Sequence, residues 1–190
     1  MIKAIIFDCF GVLYRGSLDY LYEITPEERH RELRDLTRAS DYGYIDRSEF
    51  MQSVSRLSGL GEVEISEVMN SRHIRNQSLV DYLQTLKSDF KIGLLSNVGQ
   101  GAMDQLFAPS EQEQLFDAVV LSSTIGAIKP SPAAYEAIAE ALGVQPEECV
   151  MVDDMPSNVE GAERVGMRGV VFYSTEQFER EFADVVGVKN

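Results

Sequence analysis

An α/β fold built on a parallel sheet is predicted by three observations. Five short apolar runs rich in β-branched residues recur along the chain, helical patterns separate them, and polar residues or glycine follow the first, second and fourth runs directly. The runs are Ile2–Phe7, Lys91–Leu95, Ala118–Leu121, Cys149–Val152 and Gly169–Phe172. Continuous apolar runs of this kind read as strands buried on both faces, and parallel neighbours require crossover helices. Ligands of such sheets bind outside the carboxyl ends of the strands, so the chemistry is expected there. At about 150 residues per domain, 190 residues predict one domain, or one domain carrying an inserted module.

The segment 14–78 interrupts the rhythm. It has no strand-like run and several helix-start signals, which predicts a small helical insert, with residues 1–13 and 79–190 forming the α/β core. Thr25-Pro26-Glu27-Glu28 offers a cap, a proline at the first helical position and a glutamate beyond it. Asp46-Arg47-Ser48-Glu49 repeats the device, and its helix is expected to stop near Ser58-Gly59. A shorter helix is expected over Ser66–Met69, and another, Ser78–Lys87, returns the chain to the sheet. Charge also divides unevenly. The insert carries twelve acidic residues and nine basic ones, all nine of them arginine, against nineteen acidic and eight basic in the remainder. The guanidinium fork suits phosphate and carboxylate, but for any single arginine a solvated helix face with Glu–Arg pairs at helical spacing is the expected reading.

Composition excludes several classes. With 31 acidic against 17 basic residues the net charge is −14, a surface that repels nucleic acid and anionic lipid. No apolar run approaches the roughly 20 residues that span a bilayer. Charged Asp8 follows four apolar residues, leaving no room for the apolar region of a signal peptide, so a cytoplasmic location is expected. Cys9 and Cys149 lie in strand-like runs and are expected to be buried thiols. His30, in a polar helical stretch, and His73 are expected at the surface or in packing. No phosphate-cradling glycine loop, paired cysteine cluster or zinc-binding histidine motif occurs.

The residues at the strand ends fit one task. Asp8-Cys9-Phe10-Gly11 follows the first strand, Ser96-Asn97 the second and Asp153-Asp154 the fourth, and a parallel sheet brings all three to one edge. Three carboxylates placed together are electrostatically costly unless a hard cation sits among them, and Mg²⁺ is the natural candidate. Lys129, ahead of a helix beginning near Ser131, adds positive charge. That combination suits phosphoryl transfer.

These segments, Phe7-Asp8-Cys9-Phe10-Gly11-Val12-Leu13, Leu95-Ser96-Asn97, Lys129-Pro130-Ser131-Pro132 and Val152-Asp153-Asp154-Met155-Pro156, resemble in order and spacing the four motifs of the haloacid dehalogenase superfamily. The resemblance covers the whole chain. It implies a Rossmann-like core with a helical cap inserted between the first and second motifs. It further implies a Mg²⁺-dependent phosphatase of small phosphorylated metabolites, monomeric or dimeric, that works through an aspartyl-phosphate. Asp8 would be the nucleophile, Ser96 would bind the phosphoryl oxygens, Asn97 would help orient substrate and Lys129 would neutralise charge. Asp8, the main-chain carbonyl of Phe10, Asp154 and Asp153, directly or through water, would hold Mg²⁺. Most phosphatases of the family carry a second Asp two residues after the nucleophile as general acid and base, and here that residue is Phe10. The departure leaves three outcomes: a phosphatase that borrows a proton donor such as Tyr14, His30, His73 or the substrate itself, a 2-haloacid dehalogenase, or a ligand-binding protein without turnover.

Overall fold

The computed structural model describes residues 1–187. The chain opens with β1 (Ala4–Phe7) and β2 (Tyr14–Arg15), passes through α1 (Leu18–Ile24), α2 (His30–Asp41), α3 (Arg47–Ser58) and α4 (Glu62–Arg72), and returns through β3 (Ile74–Arg75). There follow α5 (Gln77–Leu86), β4 (Lys91–Ser96), α6 (Pro109–Leu115), β5 (Ala118–Leu121), α7 (Ser122–Ile125) and α8 (Pro132–Leu142). The chain then continues through β6 (Cys149–Asp153), α9 (Pro156–Arg164), β7 (Arg168–Val171) and α10 (Thr175–Val186).

All five sequence-predicted strands form one parallel sheet in the order β5-β4-β1-β6-β7. Period-two alternation divides the strands between two cores. Ile5 and Phe7 join a cluster with Leu83 and Phe178 on one face, and Ala4 and Ile6 join Tyr135 and Ile138 on the other. Both faces are buried, which is why the strands carry no polar residues between their ends. At Gly93 a Cβ would come within 2.9 Å of Leu142, so the glycine lets α8 approach β4 closely. From β1 the chain crosses to β4 and β5 on one side, then returns to β6 and β7 on the other, so the order reverses beside β1. Phe7 is in register with Leu94 and with Val152. Asp8 just past β1, Ser96 at the end of β4 and Asp153 at the end of β6 therefore emerge from three adjacent strands at the crevice where such sheets bind ligands.

The inserted helices close a core of their own around Leu33, Val54, Leu57 and Ile65. The start of α3 is as the sequence predicts. The Asp46 side chain accepts from the Glu49 N–H at 2.9 Å, the Glu49 carboxylate accepts from the Asp46 N–H, and the helix ends on Gly59 in the left-handed region.

Other expectations in the insert are corrected. Thr25 caps nothing: its hydroxyl is buried without a partner, Glu27–Arg29 form a 3₁₀ turn, and the α-helix begins only at His30. Proline at 26 takes an extended conformation instead of starting the helix. The helix expected at Ser66–Met69 runs over all of Glu62–Arg72, and α1 is an additional helix. The segment also contains strand: β2 and β3 pair antiparallel where the chain leaves and re-enters the core. His30 is not simply solvated, because its Nε2 lies 3.0 Å from the Tyr22 carbonyl and 2.9 Å from the Thr25 carbonyl. It donates to the exposed end of α1.

Candidate active site

Asp8, Lys129 and Asp153 form the centre of the strand-end cluster. The Lys129 ammonium, buried, lies 2.9 Å from Asp8 Oδ1 and 2.6 Å from Asp153 Oδ2. Burial works against the charge on Lys129, but the two carboxylates more than offset it and hold its pKa above the ordinary value. Burial, reinforced by the neighbouring Asp153 charge, pushes Asp8 up to about 6 even though Lys129 pulls the other way. The Cys9 N–H also donates to Asp8 Oδ1, at 2.7 Å.

Asp153 is fully buried and saturated with donors: the Met155 N–H at 2.9 Å, the Asn158 amide at 3.0 and 3.1 Å to its two oxygens, and Lys129. Asp154 is its exposed neighbour, and its pKa is raised by partial burial and then by Asp153. The Asp154 carboxylate folds against Gly11, whose φ is +92° and where a Cβ would stand 2.2 Å from Asp154 Oδ2. Only glycine serves both the backbone angle and the contact.

One oxygen from each of Asp8, Asp153 and Asp154 lies within 4.8 Å of the other two. Three carboxylates against one lysine leave two negative charges in excess, and all the donors are hard oxygens. The residues therefore fit a divalent cation of the Mg²⁺ kind.

Ser96 closes β4, is buried, and among the described residues its hydroxyl has no protein hydrogen-bond partner, although it lines the cavity above the cluster. Asn97 has a visible structural task. Its Oδ1 accepts from the Lys129 N–H at 2.8 Å and its Nδ2 donates to the Lys129 carbonyl at 3.1 Å, which fixes the main chain that presents the ammonium.

A cavity of about 390 Å³ lies over these residues, lined from the core by Asp8, Ser96, Lys129 and Asp154 and from the insert by Ser17, Asp41, Arg47, Phe50 and His73. Phe10 projects into it, with its ring centroid 5.4 Å from that of His73. The His73 Nε2 hydrogen-bonds Ser17 Oγ at 2.9 Å, and burial followed by the Arg47 charge lowers its pKa. Of the proton donors considered from the sequence, only His73 lines the cavity. Tyr14 donates to the Leu106 carbonyl at 2.7 Å, and His30 is engaged at the end of α1. Cys9 is buried in the core, and burial raises its thiol far above the reactive range.

The sequence reading missed Asp41, which also lines the cavity. Asp41 stands at the last position of α2, where the helix dipole disfavours a negative charge, and burial pushes its pKa from 3.8 up to about 6. Because the folded-state value is the higher one, the ionised side chain costs the fold nothing below about pH 3.8 and an increasing amount above it. The cost reaches roughly 3 kcal/mol above pH 6. Asp41→Asn is expected to raise the melting temperature at pH 7, and the gain should fall by about half by pH 5. Thermal melts across that range check this, and a gain that ignores pH would count against it.

With the geometry in hand, comparisons with known proteins place the chain. A match over 127 residues is 36% identical to a phosphatase of Mycobacterium tuberculosis and covers 64% of this chain and 58% of that protein, less than two thirds of its length. A second relative, a glyceraldehyde 3-phosphate phosphatase of Methanopyrus kandleri, is 26% identical over 193 residues, covering 88% of this chain and 82% of that one. Among solved structures, a HAD family enzyme of Bacteroides thetaiotaomicron in complex with magnesium and inorganic phosphate shares the fold. The TM-score is 0.80 at 21% identity, over 96% of this chain and 100% of that one. The model of haloacid dehalogenase-like hydrolases matches residues 2–166, and the chain belongs to that family.

Proposed function

We propose that the protein is a Mg²⁺-dependent phosphatase of small phosphorylated metabolites that uses Asp8 as nucleophile, with residues 14–78 serving as the cap over its site. The observation that carries this reading is the Asp8–Lys129–Asp153–Asp154 cluster, with its two excess negative charges, in a cavity that core and insert line together. The volume lies at the small end of the roughly 300–1,000 Å³ range of ligand pockets, which supports a small substrate.

Asp8 Oδ1 is held by Lys129 and the Cys9 N–H, so the carboxylate is fixed for in-line attack. Attack forms an Asp8–phosphorus bond as the phosphorus–ester oxygen bond breaks. Water then cleaves the aspartyl-phosphate to release inorganic phosphate. Ser96 donates to a phosphoryl oxygen, and Lys129 neutralises charge on both nucleophile and phosphoryl group. Asp8, Asp154, the Phe10 carbonyl and Asp153, the last through water, would hold Mg²⁺, which supplies further charge neutralisation and orientation when bound.

The missing step is protonation of the leaving oxygen. Phe10 has no proton to give, and His73, with its lowered pKa, is largely neutral at pH 7. The site therefore favours esters whose leaving group needs little help.

Phosphate release from p-nitrophenyl phosphate and a sugar-phosphate panel tests the reading. Release is expected with Mg²⁺ and is expected to fall by about 10² or more on chelation, the scale of removing a principal electrostatic stabiliser. No release from folded protein, or release indifferent to chelator, would overturn it. An aromatic residue at position 10 fits a dehalogenase, which needs no acid to release halide, and chloride release from 2-chloropropionate would assign the site to that chemistry instead.

A further inference from the structure

Arg47 is the only one of the insert's nine arginines among the residues that line the cavity. Arg29, Arg72 and Arg75 pair with Glu32, Glu23 and Glu111, Arg38 lies over the Tyr42 ring, and Arg56 donates to Ser53. Arg47 has no such partner. Among the described residues no carboxylate lies within 4.0 Å of its guanidinium, and its one hydrogen bond runs to the neutral Gln105 Oε1 at 3.1 Å.

Two features of this placement oppose a positive charge. Arg47 is half-buried, and burial lowers its pKa. It occupies the first position of the twelve-residue helix α3, at the positive end of the helix dipole. Asp41 lines the cavity too but forms no ion pair with Arg47, so most of the guanidinium donors stay available. A guanidinium held under these conditions, lining the cavity that Asp8, Ser96 and Lys129 also line, is placed to receive an anion.

We infer that Arg47 binds a second anionic group of the substrate, so that the preferred substrates are phosphate esters bearing a carboxylate or a second phosphate. This rests on the phosphatase reading above and narrows its substrate class. The phosphoryl group to be cleaved sits at Asp8, Ser96 and Lys129, while the second anion sits between α3 and the Gln105 loop. Substrate would then bridge insert and core, and Arg47 would read its distal end.

The test is calorimetric binding to the full chain carrying Asp8→Asn, with Mg²⁺, so that no turnover intervenes. The probes are inorganic phosphate and matched pairs of esters. One set compares terminal alcohol with carboxylate at two-, three- and four-carbon lengths, including glycerol 3-phosphate against 3-phosphoglycerate. The other compares fructose 6-phosphate with fructose 1,6-bisphosphate.

In at least one pair the partner bearing the second anionic group is expected to bind about 10- to 100-fold more tightly, the range of a charge-assisted hydrogen bond. Whether the carboxylate or the bisphosphate series shows it identifies the anion. Adding Arg47→Gln should abolish the preference and leave inorganic phosphate binding in place, and Arg47→Lys, which keeps the charge but loses the fork, should retain part of it. Equal affinities in every pair, or a preference that survives Arg47→Gln, overturn the inference alone. No binding of inorganic phosphate or of any ester by Asp8→Asn, and none of inorganic phosphate by the parent chain with Mg²⁺, overturns the phosphatase reading along with it.

Discussion

Lys129→Met is expected to destabilise the protein by about 3–5 kcal/mol, because it removes the cation that lies between the adjacent buried carboxyl groups of Asp8 and Asp153. The lysine side chain is only 1% exposed, Asp153 is fully buried and tied to Asn158 and Met155, and Asp8, held by the Cys9 N–H, shows only a small part of its side chain to the cavity. Methionine fills the space of the lysine stem, so the loss isolates the charge and not a cavity. Urea unfolding of both proteins without divalent cation measures it. Added Mg²⁺ should recover part of the deficit by mass action, since the cation binds the folded cluster and not the unfolded chain. A loss below about 1 kcal/mol, the scale of an exposed pair, would mean that the three groups are not the desolvated cluster described here.

Phe10→Asp is expected to raise activity. Installing a carboxyl where the ring now faces His73 supplies the proton donor that the site lacks, and general acid–base assistance contributes about 10²–10⁴ in rate. The gain should depend on the leaving group. Alkyl and sugar phosphates, whose alcohols leave poorly without a proton, should gain most, and p-nitrophenyl phosphate, whose phenolate leaves readily, should gain little. The ratio of kcat/KM for the two substrate types, in variant and parent, reads this without depending on absolute activity. Equal gains for both would place the effect of Phe10 elsewhere, in packing against Gly16 and His73.

The core was legible because its signals are local and redundant. Strands buried on both faces can only be apolar throughout, so β5 has the predicted bounds, β1, β4 and β6 differ at their ends by one or two residues, and β7 is displaced by one. Asp8, Ser96 and Asp153 could be brought together from sequence because parallel register alone places the ends of β1, β4 and β6 side by side. Lys129 needed only a loop that returns to the same edge.

The insert was less legible because its decisive terms are tertiary. The Thr25-Pro26-Glu27-Glu28 string carries the composition of a helix start, yet Thr25 is drawn into the interior and the turn tightens to 3₁₀. The sequence of α4 has little one-sided patterning, since Ile65 is its only fully buried residue, so most of its length was invisible. The β2–β3 pair is two residues a side and joins segments about sixty residues apart, below the reach of any local signal.

Arg47 and Asp41 fall under the same limit. Nothing in one dimension separates Arg47 from the eight other arginines of the insert. The Asp46–Glu49 cap fixes where α3 begins, but only the packing of the inserted helices over the sheet edge turns that first residue toward the cavity.

The most direct test of the central claim, that Asp8 is the nucleophile of a phosphatase, is Mg²⁺-supported phosphate release from p-nitrophenyl phosphate by the parent protein beside Asp8→Asn. The amide preserves the shape of the side chain but is far less nucleophilic, and phenolate needs no proton donor, so the comparison isolates the attacking group from the absent acid. Release by the parent, with a fall of about 10³ or more in the variant as expected for loss of a covalent nucleophile, is the predicted result. Release at similar rates from both proteins would contradict the account.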